Sequence, residues 1–137
     1  MNLGLKHRKE NNMTQEEKEL LLKDLFARLP YGAFVQFEVD GQKTIKPLTV
    51  DFLSSTWYHT EFIKPYLRPM SSMTEEEKII YQSKQSIIFD FKNNKLYVDN
   101  YYSLDYLNSI HIDYRGLIEK GLALEAPEGM YNDIITK

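Results

Sequence analysis

The chain has 137 residues, with 17 basic against 20 acidic side chains and a formal charge of −3. It is 42% hydrophobic and 13% aromatic and contains no cysteine. One core fits that length, the acidic balance disfavours a nucleic-acid footprint, and the lack of thiols excludes a disulfide framework, a cysteine nucleophile and a thiolate zinc site.

The polar, basic opening MNLGLKHRKENN has no hydrophobic period, so residues 1–12 are expected to be a disordered extension ahead of a single α+β domain over 13–137. TQEE at Thr14 is a capping box, in which the Thr hydroxyl and the Glu17 carboxylate each satisfy a backbone N–H of the other. It opens a helix over 15–28 whose stripe runs through Leu21, Leu25 and Arg28 or Leu29, and Pro30 ends it. AFVQFEV then alternates as a strand, and Asp40-Gly41 predicts a hairpin turn with a return strand over KTIKPLTVDFL. Pro47 has no donor N–H, which puts that strand at an edge or a bulge.

A further strand is expected near 56–63, followed by a stretch that Pro65 and Pro69 keep from being helical. TEEE at Thr74 is a second capping box and opens a helix ending before Gln85. SIIFDFKNNKLYVDN reads as a second hairpin, with Ile87, Phe89 and Phe91 on one face and Asn93-Asn94 at the turn. Ser103 is placed to cap a helix over Leu104, Leu107 and Ile110. Asp113 is placed to cap another over Leu117 and Ile118 that Gly121 terminates. The expected architecture is therefore an N-terminal helix, a small antiparallel sheet of about four to five strands built from two hairpins, and a C-terminal pair of short helices.

Three phrases, MTQEEKELLLKDL, IKPYLRPMSSMTEEEK and LNSIHIDYRGLIEKGLALEAPEGMY, resemble a family of small uncharacterised proteins of gut-dwelling anaerobic bacteria and their phages or prophages. The resemblance implies an intracellular protein, often carried on mobile elements, with no assigned activity. Relatives of that kind begin at a methionine matching Met13.

No residue pattern reaches the specificity of a catalytic or metal signature. His59 and His111 have no carboxylate or second histidine at ligand spacing, the serine pairs 54–55 and 71–72 are read as turn residues without the glycines of a nucleophile elbow, and the glycines form no phosphate loop. No catalytic residue, metal or cofactor is expected. The chain also lacks a run near 18 apolar residues and a secretory leader, so the expected address is the cytoplasm. If any surface is special it is the Pro-stiffened aromatic segment, with Trp57, Tyr58, Lys64, Tyr66 and Arg68 as candidate partner-binding residues, then Tyr114 and Arg115. Core packing is the competing explanation for most of these aromatics, as for Tyr101 and Tyr102, and Arg115 is read as solvated or paired with Glu119 at i+4.

The favoured function is a non-enzymatic protein-interaction or accessory module whose partner is another protein. Oligomeric state is left open. The alternative is a nucleic-acid-associated regulator using the helix, turn, helix arrangement from Ser103 to Lys120, which is short of basic residues for that task.

Overall fold

The computed structural model describes residues 13–131, so the extension expected over 1–12 lies outside the described residues. Helix α1, Gln15–Arg28, starts as its capping box requires: Glu17 N–H donates to Thr14 Oγ1 at 3.1 Å and Thr14 N–H to Glu17 Oε1 at 3.0 Å. A 3₁₀ turn, Leu29–Tyr31, carries Pro30 and closes on Gly32 at φ 69°. Strands β1, Phe34–Val39, and β2, Gln42–Pro47, form the expected antiparallel hairpin, with Asp40 (φ 53°) and Gly41 (φ 80°) both left-handed at its turn.

Three expectations in the next segment are corrected. The return strand stops at Pro47, with one further backbone bond from Leu48 N–H to the Ala33 carbonyl, and Val50–Thr56 is helix α2, because Thr49 Oγ1 accepts from Phe52 N–H and starts a helix there. Ser54 and Ser55 therefore lie in that helix, and their hydroxyls donate back to helix carbonyls. The strand expected near 56–63 is instead a 3₁₀ segment, Trp57–Phe62, broken at His59, and strand β3 occupies Ile63–Leu67. Finally, β3 sits inside a mixed sheet of order β2-β1-β3-β6, antiparallel to β1 and parallel to β6, Leu124–Glu125. Pro65 is tolerated there because β6 pairs only with Tyr66 and Leu67.

A 3₁₀ turn, Met70–Ser72, precedes the second capping box and helix α3, Glu75–Ser83. Strands β4, Ser86–Asp90, and β5, Lys95–Asp99, make the second hairpin with Asn94 at φ 54°, but they form a two-stranded sheet separate from the first. Helix α4 runs Tyr101–Ser109 with Asn100 at its cap, three residues ahead of the Ser103 cap expected for it; Asp99 Oδ1 receives Tyr101 N–H at 3.0 Å, and Ser103 is buried within the helix.

The last expected helix does not form. Asp113 does accept from Leu117 and Ile118 N–H at 2.9 Å each, as a cap would, but 117–121 are turns. Gly116 at φ 72° and Gly121 at φ 76° break the backbone on either side, leaving room for a single turn. The helix, turn, helix arrangement behind the nucleic-acid alternative thus lacks its second helix.

The main core lies between α1 and the four-stranded sheet, where Leu21 and Leu25 meet Val35, Ile63 and Leu67, and Leu117 and Leu122 close it from the C-terminal turns. A second cluster, Met73, Leu107, Ile110 and Ile112, joins α4 to the segment before α3.

Candidate interaction surface

The ionic side chains that reach the interior are spent on architecture. Arg68 donates to both carboxylate oxygens of Glu77 (2.9 and 2.8 Å), to the Ile110 carbonyl (3.3 Å) and to the Ser72 carbonyl (3.1 Å). Glu77 closes the capping box on Thr74 at the same time, and the Arg68 guanidinium holds its carboxyl below the usual carboxylate range. One arginine thereby ties β3, α3 and the end of α4 together.

A second network joins α1 to the C-terminal loop. The buried Asp24 carboxylate accepts from Arg28 Nε at 2.9 Å and from Arg115 Nη1 at 2.7 Å, and Arg28 Nη2 reaches the Ile112 carbonyl at 2.8 Å. Both guanidinium groups lie over the Tyr114 ring, at 5.5 and 4.6 Å. Arg115 is thus paired with Asp24, 91 positions away, rather than with Glu119. Removing one partner of a buried pair of this kind strands an uncompensated charge, so the network is costly to open.

Tyr66 is buried, and its carbonyl receives the Tyr131 hydroxyl at 2.9 Å while the Phe34 N–H donates to that same hydroxyl. His111, in the left-handed region at φ 67°, stacks on Tyr131 with ring centroids 3.7 Å apart. Burial, with Arg28 and Arg68 nearby, pushes the His111 pKa down to about 4, so the imidazole is neutral. Of the seven candidate partner-binding residues, Tyr66, Arg68, Tyr114 and Arg115 are therefore held by internal contacts. Lys64 is half-buried on β3 beside Met13 and Glu17 in a small cleft of about 200 Å³, below the size of ordinary ligand pockets. Trp57 and Tyr58 are exposed and pack edge to face on one another.

Core packing does not account for Trp57, Tyr58, Tyr101 or Tyr102, all of which face solvent. The largest apolar exposure, however, lies on the second hairpin. Its register pairs Ile87 with Val98 and Phe89 with Leu96, and alternation along each strand sends these four side chains to one face. That face carries no polar residue, yet Ile87 is 72% exposed and Leu96 64%, and Phe91, packed on Phe89, is 86% exposed. The opposite face alternates Ser86, Ile88 and Asp90 against Asp99, Tyr97 and Lys95. Tyr101 and Tyr102 extend the exposed aromatic surface at the hairpin's base, where α4 begins.

The alternating pattern of 86–99 marks this hairpin in the sequence, but a period of two cannot say whether the apolar face meets the protein's own core. Among the described residues no group of three His, Cys, Asp or Glu is placed to hold a metal, and no helix is long and apolar enough to cross a membrane. Comparison with protein families, with curated proteins and with solved structures gives no match.

Proposed function

We propose that this chain is a non-enzymatic protein-interaction module that docks through the apolar face of the β4–β5 hairpin. The observation that carries the reading is the wholly apolar set Ile87, Phe89, Leu96 and Val98 standing in solvent on a two-stranded sheet. A lone hairpin gains little stability in water, and contiguous exposed apolar surface is costly to keep unless something covers it. The interior offers a contrast that favours the same reading: Arg68, Glu77, Asp24, Arg28 and Arg115 bond to one another and to backbone carbonyls, with only Arg28 Nη1 among their buried atoms lacking a partner among the described residues, which suits a rigid scaffold presenting a surface. The mobile-element setting belongs to this proposal as an expectation and rests on the quoted sequence phrases alone.

The test is photocrosslinking in cells that make the full chain, with a photoreactive benzoyl-phenylalanine in place of Ile87 or, as a control, of the exposed Glu119. The expected result is a discrete adduct with another protein from position 87 and none from 119. Equal labelling from both positions, or none from 87, overturns the proposal.

A further inference from the structure

The β5 strand is self-complementary when it meets its own copy running the other way. Its residues are Lys95, Leu96, Tyr97, Val98 and Asp99, and both long edges of the hairpin are unpaired among the described residues. An antiparallel register centred on Tyr97 sets Lys95 opposite Asp99 of the second copy, Leu96 opposite Val98, and Tyr97 opposite Tyr97. Both charged pairs then have opposite sign, and both apolar residues face apolar residues. Lys95 makes no ion pair within the described residues, and Asp99 accepts only the Tyr101 N–H through one carboxylate oxygen, so both are free to engage.

The other edge lacks this property. Strand β4, Ser86–Asp90, folded back on itself about Ile88 sets Asp90 against Ser86, with no charge match, and Asp90 is already occupied by the turn through the Lys92 and Asn93 N–H groups and the Asn93 side-chain amide. A β4-to-β5 contact between copies would be heterologous and would present the same complementary edges again at each end, whereas β5 on β5 uses up the matched edge of both copies and leaves outward only the unmatched β4 edges. The four exposed residues Lys95 to Val98 leave that edge accessible.

We infer that the partner of the β5 edge is a second copy of this chain, giving a two-fold dimer in which the two hairpins form one continuous four-stranded antiparallel sheet. Directly opposed residues of a pleated sheet share a face, so Leu96 and Val98 of one copy lie beside Val98 and Leu96 of the other. The apolar faces of the two hairpins fuse into one band on one side of the sheet, and Lys95, Tyr97 and Asp99 line the other. This inference rests on the reading of the hairpin as an interaction element and names the occupant of one part of it; the fused apolar face stays open for a different protein.

The test uses the full chain in sedimentation equilibrium. The parent is expected to approach twice its 16.2 kDa mass as concentration rises. Lys95→Asp and Asp99→Lys each make both seam pairs like-charged and are expected to weaken the dimer about tenfold or more. An equimolar mixture of the two single variants restores opposite charges at both pairs and is expected to recover the dimer, as is the double variant K95D/D99K. Because the chain has no cysteine, Tyr97→Cys adds a second readout: it is expected to form an intermolecular disulfide under mild oxidation, while Ile88→Cys on the other edge does not. A parent that is monomeric at every concentration overturns the inference. So does a dimer insensitive to the charge variants but lost on Ile87→Thr, which would mean face-to-face packing. A monomer that still crosslinks another protein from position 87 discards the dimer and keeps the docking reading; a charge-dependent dimer with no such adduct does the reverse.

Discussion

The His111 imidazole lies flat on the Tyr131 phenol, with ring centroids 3.7 Å apart and an interplanar angle of 16°. The stack anchors the end of the described chain to the corner after α4, and its histidine has no charge partner: Nδ1 is buried without a hydrogen bond among the described residues, and Arg28 and Arg68 oppose protonation.

A pH dependence follows. The folded-state pKa, pushed down to about 4, lies below the unfolded value of 6.5. Between these limits the unfolded chain binds a proton that the native one does not, so stability falls as pH drops from about 6.5 and the loss saturates near 4. Between pH 7 and 5 the His111 share is about 2 kcal/mol. Denaturant midpoints at the two pH values should show it, and His111→Asn, which suits the left-handed backbone, should flatten the difference even though it loses the stack.

The junction of Arg68, Glu77 and Thr74 predicts a graded series. Thr74→Ala removes only the hydroxyl that receives the Glu77 N–H and should cost about 1 kcal/mol. Arg68→Ala leaves the mostly buried Glu77 carboxylate unmatched and frees the Ile110 carbonyl, and should cost at least about 2 kcal/mol. Urea unfolding of the two variants side by side checks the order. Equal losses would mean that the guanidinium adds nothing beyond the cap.

Leu117→Ala should cost about 2 to 5 kcal/mol, since the side chain is fully buried in the core cluster that holds Leu21, Leu25 and Leu122 despite lying on a turn. A loss below about 1 kcal/mol in chemical denaturation would show that the C-terminal turns only drape over the core.

Substitutions on the hairpin should behave in the opposite way. Phe91→Ser removes apolar surface that faces water and lies outside the β5 seam, so the melting temperature should hold within the shift expected of about 0.5 kcal/mol. A fall of several kcal/mol would mean that the hairpin face is packed in solution and is not available for docking.

Local chemistry wrote several of these elements into the sequence unaided. Thr14 and Thr74 each find Glu three residues on, Asp40-Gly41 can take the two left-handed conformations a tight turn needs, and Asn94 supplies the single left-handed residue of the second hairpin's longer turn. Each depends on groups within four residues of one another, so no tertiary partner is required. Where several local signals competed, the fold chose. Residues 50–53, expected as strand, became helix because Thr49 could cap one, and 64–67, expected only to be non-helical, became strand because β1 and β6 offered ladders to a segment holding Pro65. Asp113 supplied a helix cap that Gly116 and Gly121 did not let propagate.

Only the assembled structure decided which charged and aromatic residues were free to act. Asp24 and Arg115 are 91 positions apart and meet in a buried pair that no spacing rule joins, and Arg68 finds its main partner on a different element. The hairpin shows the same limit from the other side. Period-two alternation determined that Ile87, Phe89, Leu96 and Val98 share a face, but whether that face meets the protein's own core or open water depends on how the sheets divide, four strands and two, and that division is a property of the whole chain.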